Sequence, residues 1–207
     1  MPLHDELTSP QAVWDELLAG NERFAAQASE HPHMHDERRA ELSAGQSPRA
    51  VVLSCSDSRA PVELLFDSGL GDIFVVRTAG EILGLSVLAS VEYAVNGLGC
   101  PLVVVLGHEF CGAVGAALTA VTTGELPGGF SNVLVERVTP SVLAAQREGH
   151  TESADVERVH VRHTVDTLFA QFPALREKVA EGSVGVVGAR YRVSDNRVET
   201  VCSHGVE

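Results

Sequence analysis

The sequence predicts an α/β fold: a mostly parallel central sheet flanked by helices, with an N-terminal helical arm and a C-terminal hairpin at the sheet edge. Three observations carry this reading. The apolar runs Ala50 to Ser54, Ile73 to Val76 and Leu102 to Leu106 are continuous rather than alternating, the pattern of strands buried on both faces. Between the second and third runs, Leu85, Leu88, Val91, Ala94, Val95 and Leu98 recur at helical intervals. Strand therefore alternates with helix, which favours a parallel sheet, and the right-handed crossovers of such sheets put helices on both faces.

Each element has its own signal. Ser9 is placed to cap a helix with Pro10 in its first turn, and Val13, Leu17, Leu18 and Phe24 form an apolar stripe, so the chain to Ala28 reads as an amphipathic helix. The polar stretch His31 to Ser47 reads as a short helix or a connector to the first strand. After Cys111 a helical pattern runs to about Val121 and is broken by Gly124 to Gly129, with Pro127 among them. Asn132 to Arg147 and Ala154 to Phe172 carry the mixed apolar and charged faces of two further helices, and Pro173 bends the chain before Leu175 to Ala180. Val184 to Val187 reads as a strand. The turn cluster Ser194, Asp195, Asn196 then leads into Val198 to Cys202 and closes the hairpin. The length of 207 residues predicts one domain, with the helical arm over 1–48 and the α/β core over 49–207.

Composition narrows the function. A formal net charge of -13 repels phosphate backbones and anionic lipid, so neither nucleic acid nor membrane is an expected partner, while a small neutral substrate is not disfavoured. The N-terminus MPLHDELTSP lacks the basic start and apolar run of an export signal, and the apolar runs fall well short of the about 20 residues that span a bilayer. A soluble, cytoplasmic protein is expected. Four cysteines without an export signal point to thiol or metal chemistry in a reducing compartment rather than to disulfides.

Two segments concentrate that chemistry. Cys55, Asp57 and Arg59 alternate where the first core strand ends, and in an extended chain alternate side chains point the same way, into one crevice. His108 and Cys111 leave another buried strand and enter a helix, at a separation that makes them near neighbours on a helical turn. In doubly wound sheets ligands bind outside the carboxyl ends of strands, so both segments lie at the edge where a site belongs. Two thiolates and an imidazole suit zinc, with a fourth tetrahedral position left for water or for Asp57.

Cys-Ser-Asp-Ser-Arg at Cys55 to Arg59, followed by His-x-x-Cys-Gly at His108 to Gly112, resembles the β-class carbonic anhydrases. The resemblance is close from about Val51 to Val121, through the turn Arg77, Thr78, Ala79, Gly80, and looser at the two ends. It implies Cys55, His108 and Cys111 as zinc ligands and Asp57 with Arg59 as an orienting catalytic pair. It implies reversible hydration of carbon dioxide to bicarbonate and a proton by zinc-bound hydroxide, and a second, inactive state in which Asp57 leaves Arg59 and becomes the fourth ligand. It further implies a homodimer or homotetramer whose N-terminal helices embrace the partner. One subclass, inhibited by bicarbonate, has a tryptophan three residues before the first cysteine; this chain has Val52 there, so that pocket is incomplete although Arg77 and Tyr191 resemble its other members.

Other readings compete at single residues. A lone cysteine or histidine is more often a packing residue than a ligand, and Cys100 and Cys202, which match neither motif, are read that way. His31, His33 and His35 alternate in a polar stretch better read as a solvated connector than as a metal site, and His160 and His163 read as surface or interface residues of a helix. None of these histidines is singled out to carry protons to solvent. Two other functions remain: hydrolysis of carbonyl sulfide or carbon disulfide, to which the resemblance extends and which assays on each gas separate, and a non-catalytic zinc or thiol redox module. The latter needs closed coordination or a reactive cysteine pair.

Overall fold

In the computed structural model, which describes residues 9–207, five strands form one sheet in the order β2-β1-β3-β4-β5. The part of the N-terminal reading that falls on residues 1–8 lies outside the described residues. β1 (Ala50–Cys55), β2 (Ile73–Thr78), β3 (Leu102–His108) and β4 (Gly185–Arg192) run parallel, and β5 (Arg197–His204) returns antiparallel along β4. The turn signal at Ser194 to Asn196 sets that hairpin, with Asn196 in the left-handed region.

The continuous apolar runs have the expected cause. Every residue of β1 and β3 is buried. Val51, Leu53, Val103, Val105 and Val186 pack under α4 (Leu85–Glu92), α7 (Ser153–Gln171) and α8 (Pro173–Ala180). Ala50, Val52, Val104, Leu106 and Val187 pack on the other face against α1 (Pro10–Ala25) and α3 (Val62–Leu65). Each fully buried Val or Leu of these strands contributes about 1.5–3 kcal/mol relative to exposure. α1 is capped as its sequence predicts: the Ser9 side chain accepts the Ala12 N–H at 3.1 Å, and Val13, Trp14 and Leu17 bury its apolar stripe. The polar stretch after it contains the short helix α2 (Asp36–Leu42), which buries no residue.

β2 departs from the reading of a strand buried on both faces. It is half-buried throughout because it lies at the sheet edge, with β1 as its one strand neighbour among the described residues. α3 has no counterpart in the sequence reading, since four residues are too few to display a helical period. No helix among the described residues is long and apolar enough to cross a membrane.

The topology fixes where a site can form. β1 ends at Cys55 opposite Thr78 of β2, and β3 ends at His108 opposite Tyr191 of β4. These carboxyl ends open on one edge, as in doubly wound sheets generally. α5 (Gly112–Thr123) starts directly beyond this edge, and with α6 (Asn132–Arg147) and α7 it packs a separate apolar cluster around Cys55 and Cys111.

Candidate metal centre

Three turns aim the side chains. Beyond β1, the Arg77 guanidinium donates to the carbonyls of Cys55 (2.9 Å) and Asp57 (2.6 Å), and the Ser56 N–H donates to Thr78 O at 3.0 Å. Beyond β3, Phe110 takes a left-handed conformation (φ 59°) that brings Cys111 round to face His108. Beyond β2, Gly80 is left-handed too (φ 68°), and its N–H donates to the Cys55 sulfur at 3.2 Å.

His108 Nδ1 lies 2.8 Å from the Glu109 carbonyl, which can only accept, so Nδ1 carries the proton. In the neutral ring Nε2 then presents a bare lone pair, and this atom is buried without a hydrogen-bond partner. The Cys55 and Cys111 sulfurs and the imidazole ligand atom lie within 4.8 Å of one another, the one group of three or more potential ligands among the described residues. Bonds of about 2.0–2.3 Å to a tetrahedral ion space its ligands by about 3.3–3.8 Å. The trio therefore needs little movement to share one ion.

The two sulfurs perturb each other in opposite directions. A hydrogen bond from Cys111 lowers the Cys55 thiol to about 3 against the effect of burial, with help from His108 and the Gly80 N–H. The same hydrogen bond, burial and the nearby Glu81 push the Cys111 thiol up. Burial opposes charge on His108, but the Cys55 sulfur outweighs it and raises the ring.

Asp57 stands at the mouth. Its Oδ1 accepts from the Arg59 backbone N–H (2.8 Å) and Nε–H (3.0 Å), while Oδ2 accepts from Arg59 Nη2 at 2.8 Å. These bonds hold the carboxyl well below the usual range in spite of partial burial. Arg59 also donates to the Phe110 carbonyl at 3.1 Å, tying the two motif segments together. Asp57 Oδ2 lies 3.9 Å from His108 Nε2, beside the open side of the trio.

Comparison with known proteins agrees with this geometry. The carbonic anhydrase family model matches residues 50–198. Carbonic anhydrase 2 of Mycobacterium tuberculosis (strain H37Rv) is 50% identical over 190 residues, covering 92% of each chain. The chain belongs to the β-class carbonic anhydrases. Among solved structures, the β-carbonic anhydrase CafA of Aspergillus fumigatus superposes with a TM-score of 0.69 at 28% identity, over 90% of this chain and 89% of that one. A tetrameric β-carbonic anhydrase of Sordaria macrospora superposes with a TM-score of 0.71 at 24% identity, over 92% of this chain and 98% of that one, and shares the fold.

The structure thus brings together all five residues singled out by the two carbonic anhydrase motifs. Cys100 and Cys202 lie elsewhere: Cys100 is buried with its thiol on the Pro48 carbonyl, and Cys202 is half-buried in β5. His33 joins Asp72 at 2.8 Å, and the alternating histidines form no ligand group. Arg77, whose fork holds the Cys55 loop, and Tyr191, whose hydroxyl meets Asn196 at 3.0 Å, are both engaged within the chain.

Sequence reasoning missed the shell behind the candidate ligands. His160 is a correction, since it is 2% exposed rather than at the surface: α5 and α6 cover the side of α7 that faces away from the sheet. Glu157 accepts the Cys111 N–H and pairs with Arg190, whose Nε lies 2.8 Å away, and Arg190 also meets Glu199. Glu81 is buried beside the centre with Oε2 unpartnered, and burial, then the Cys55 sulfur, pushes its carboxyl up to about 8. The one sequence signal for this shell was Gly80, a glycine just beyond a strand.

Removing one member of a buried ion pair strands the other. Arg190→Met is therefore expected to cost about 3–5 kcal/mol of stability. Urea unfolding followed by circular dichroism checks this; a loss under about 1 kcal/mol would mean that Glu157 relaxes to water.

Proposed function

We propose that Cys55, His108 and Cys111 hold one zinc ion and that the chain catalyses reversible hydration of carbon dioxide to bicarbonate, with Asp57 and Arg59 as the orienting pair. The buried, unpartnered Nε2 of His108 facing two cysteine sulfurs carries this reading, because an orphaned acceptor there costs free energy that a metal bond recovers. Zinc supplies a Lewis acid that brings a water's pKa towards neutrality. The protein's part is orientation. Asp57 Oδ2 accepts the hydrogen of the attacking water and so points an oxygen lone pair at the carbon, while the Arg59 fork keeps that carboxylate ionised and fixed. The Glu109 carbonyl keeps His108 in the tautomer that binds metal.

Asp57 also provides the means of closure. Its carboxylate pairs with Arg59 here, and a swing towards the His108 side would occupy the fourth position and exclude water. Structures at low and high pH that both keep the Asp57–Arg59 pair would overturn closure while leaving the reaction untouched.

The assembly is a homodimer or homotetramer in the cytoplasm. The half-buried edge strand β2, with Leu85 (88% exposed) and Tyr93 (54% exposed) on the segment after it, supports association, as does the tetrameric relative. Four unbonded cysteines support a reducing compartment. A monomer in sedimentation velocity at micromolar concentration would rule out the oligomer.

Stopped-flow carbon dioxide hydration across pH, with zinc quantified on the same sample, tests the function. Turnover proportional to bound zinc is expected. Stoichiometric zinc without hydration would sink the proposal.

A further inference from the structure

We infer that His160 is a positioning residue for the metal centre: it holds the Gly80 turn so that the Gly80 N–H stays hydrogen-bonded to the Cys55 sulfur. The inference rests on Cys55 being a zinc ligand. His160 meets no reacting atom in this reading. It acts from behind the centre, through the turn at Ala79–Glu81.

The hydrogen bonds fix both ring nitrogens. Nε2 lies 2.9 Å from the Gly80 carbonyl, an acceptor only, so Nε2 carries the proton. Nδ1, 2.9 Å from Ser141 Oγ on α6, then accepts from the hydroxyl. Burial lowers the ring's pKa and keeps it in this neutral form. Two helices thus combine to aim one N–H at one carbonyl.

That carbonyl belongs to the peptide between two left-handed residues, Gly80 (φ 68°) and Glu81 (φ 40°). Non-glycine residues persist in that region only where their surroundings over-determine them. His160 supplies the restraint on the peptide itself, and Thr78 Oγ1, donating to Ile82 O at 3.0 Å, clamps the turn from outside. A Cβ at Gly80 would stand 2.6 Å from the Ala113 Cβ, so the turn has no room to reach its position with another residue.

The consequence is electronic as well as geometric. Two thiolates neutralise the formal charge of a divalent ion and weaken its pull on bound water. An N–H···S bond draws density from the Cys55 thiolate and offsets part of that loss. If the turn relaxes, the sulfur becomes a stronger donor and its electrons move to the metal at lower energy.

Cobalt(II) loaded into the whole protein reads this through its near-ultraviolet thiolate-to-metal bands. His160→Leu is expected to move the bands to longer wavelength and, because the Cys55 sulfur is then no longer held in register with the other two candidate ligands, to weaken zinc binding about 10- to 100-fold in chelator competition. His160→Gln places an amide N–H near the lost Nε2–H and is expected to restore both. Ser141→Ala, a milder change that frees the ring, should shift the bands the same way by less, and it keeps the test open if the leucine variant does not fold. Unshifted bands in the folded leucine variant, or in Ser141→Ala where the former cannot be obtained, would overturn the role of His160, as would a glutamine variant shifted as far as leucine. Absence of thiolate bands in the unsubstituted protein would instead overturn ligation by Cys55 and Cys111.

Discussion

Cys111→Ser is expected to abolish metal retention and bring carbon dioxide hydration down to the uncatalysed rate, a loss on the order of 10⁶-fold. A serine hydroxyl does not ionise at neutral pH, so the ion would keep one thiolate and one imidazole in a pocket built for three donors. Zinc content after dialysis and stopped-flow rates on the same sample check both parts. Stoichiometric zinc in the variant would mean that Cys111 is not a ligand. The metal-free protein carries a linked expectation with a definite sign. Cys55, lowered to about 3 first by the Cys111 hydrogen bond, is already a thiolate at neutral pH, whereas Cys111, pushed up by the same bond and by burial, keeps its proton. Metal binding must displace that proton. Affinity should therefore rise with pH, by about tenfold per unit for each proton released, and fall as pH drops. Chelator competition across pH that gives a flat profile would contradict a proton held between the two sulfurs.

Asp57→Asn should leave zinc in place and lower kcat/KM about 10- to 100-fold. The amide keeps the size of the side chain but loses the charge that binds the Arg59 fork through two oxygens. One of its terminal atoms becomes a donor, so it offers hydrogen where the reaction needs an acceptor. Arg59→Ala is expected to act in the same direction, because the carboxylate then lacks its anchor. Unchanged turnover in Asp57→Asn would remove Asp57 from the orienting role. Loss of zinc in that variant would place Asp57 among the permanent ligands.

The candidate ligand trio and its Asp–Arg neighbours were legible because each motif is local. Cys55 to Arg59 and His108 to Gly112 each end a strand whose apolar run is itself unmistakable, and the parallel topology brings the two ends to one edge. The shell behind them was not legible, since its partners are distant in the chain. His160 meets Gly80 across 80 positions, and Glu157 meets the Cys111 N–H across 46. Nothing in the periodicity of α7 announces such contacts. Its charged and polar residues suggest a solvated side, yet Glu157, His160 and Thr164 are buried because a second layer of helices covers it.

The sequence by itself therefore determined the class of fold, the order of its strands and longer helices, and the five residues around the candidate metal position. Hydrophobic period and short motifs are set by neighbours a few residues apart, and they survive without tertiary knowledge. Tertiary structure alone decided that β2 lies at an edge, that His160 and Arg190 are buried, and that Gly80 and Arg77 hold the Cys55 loop. Burial depends on what packs from the other side, and a buried polar side chain reveals its partner only when the chain has closed around it.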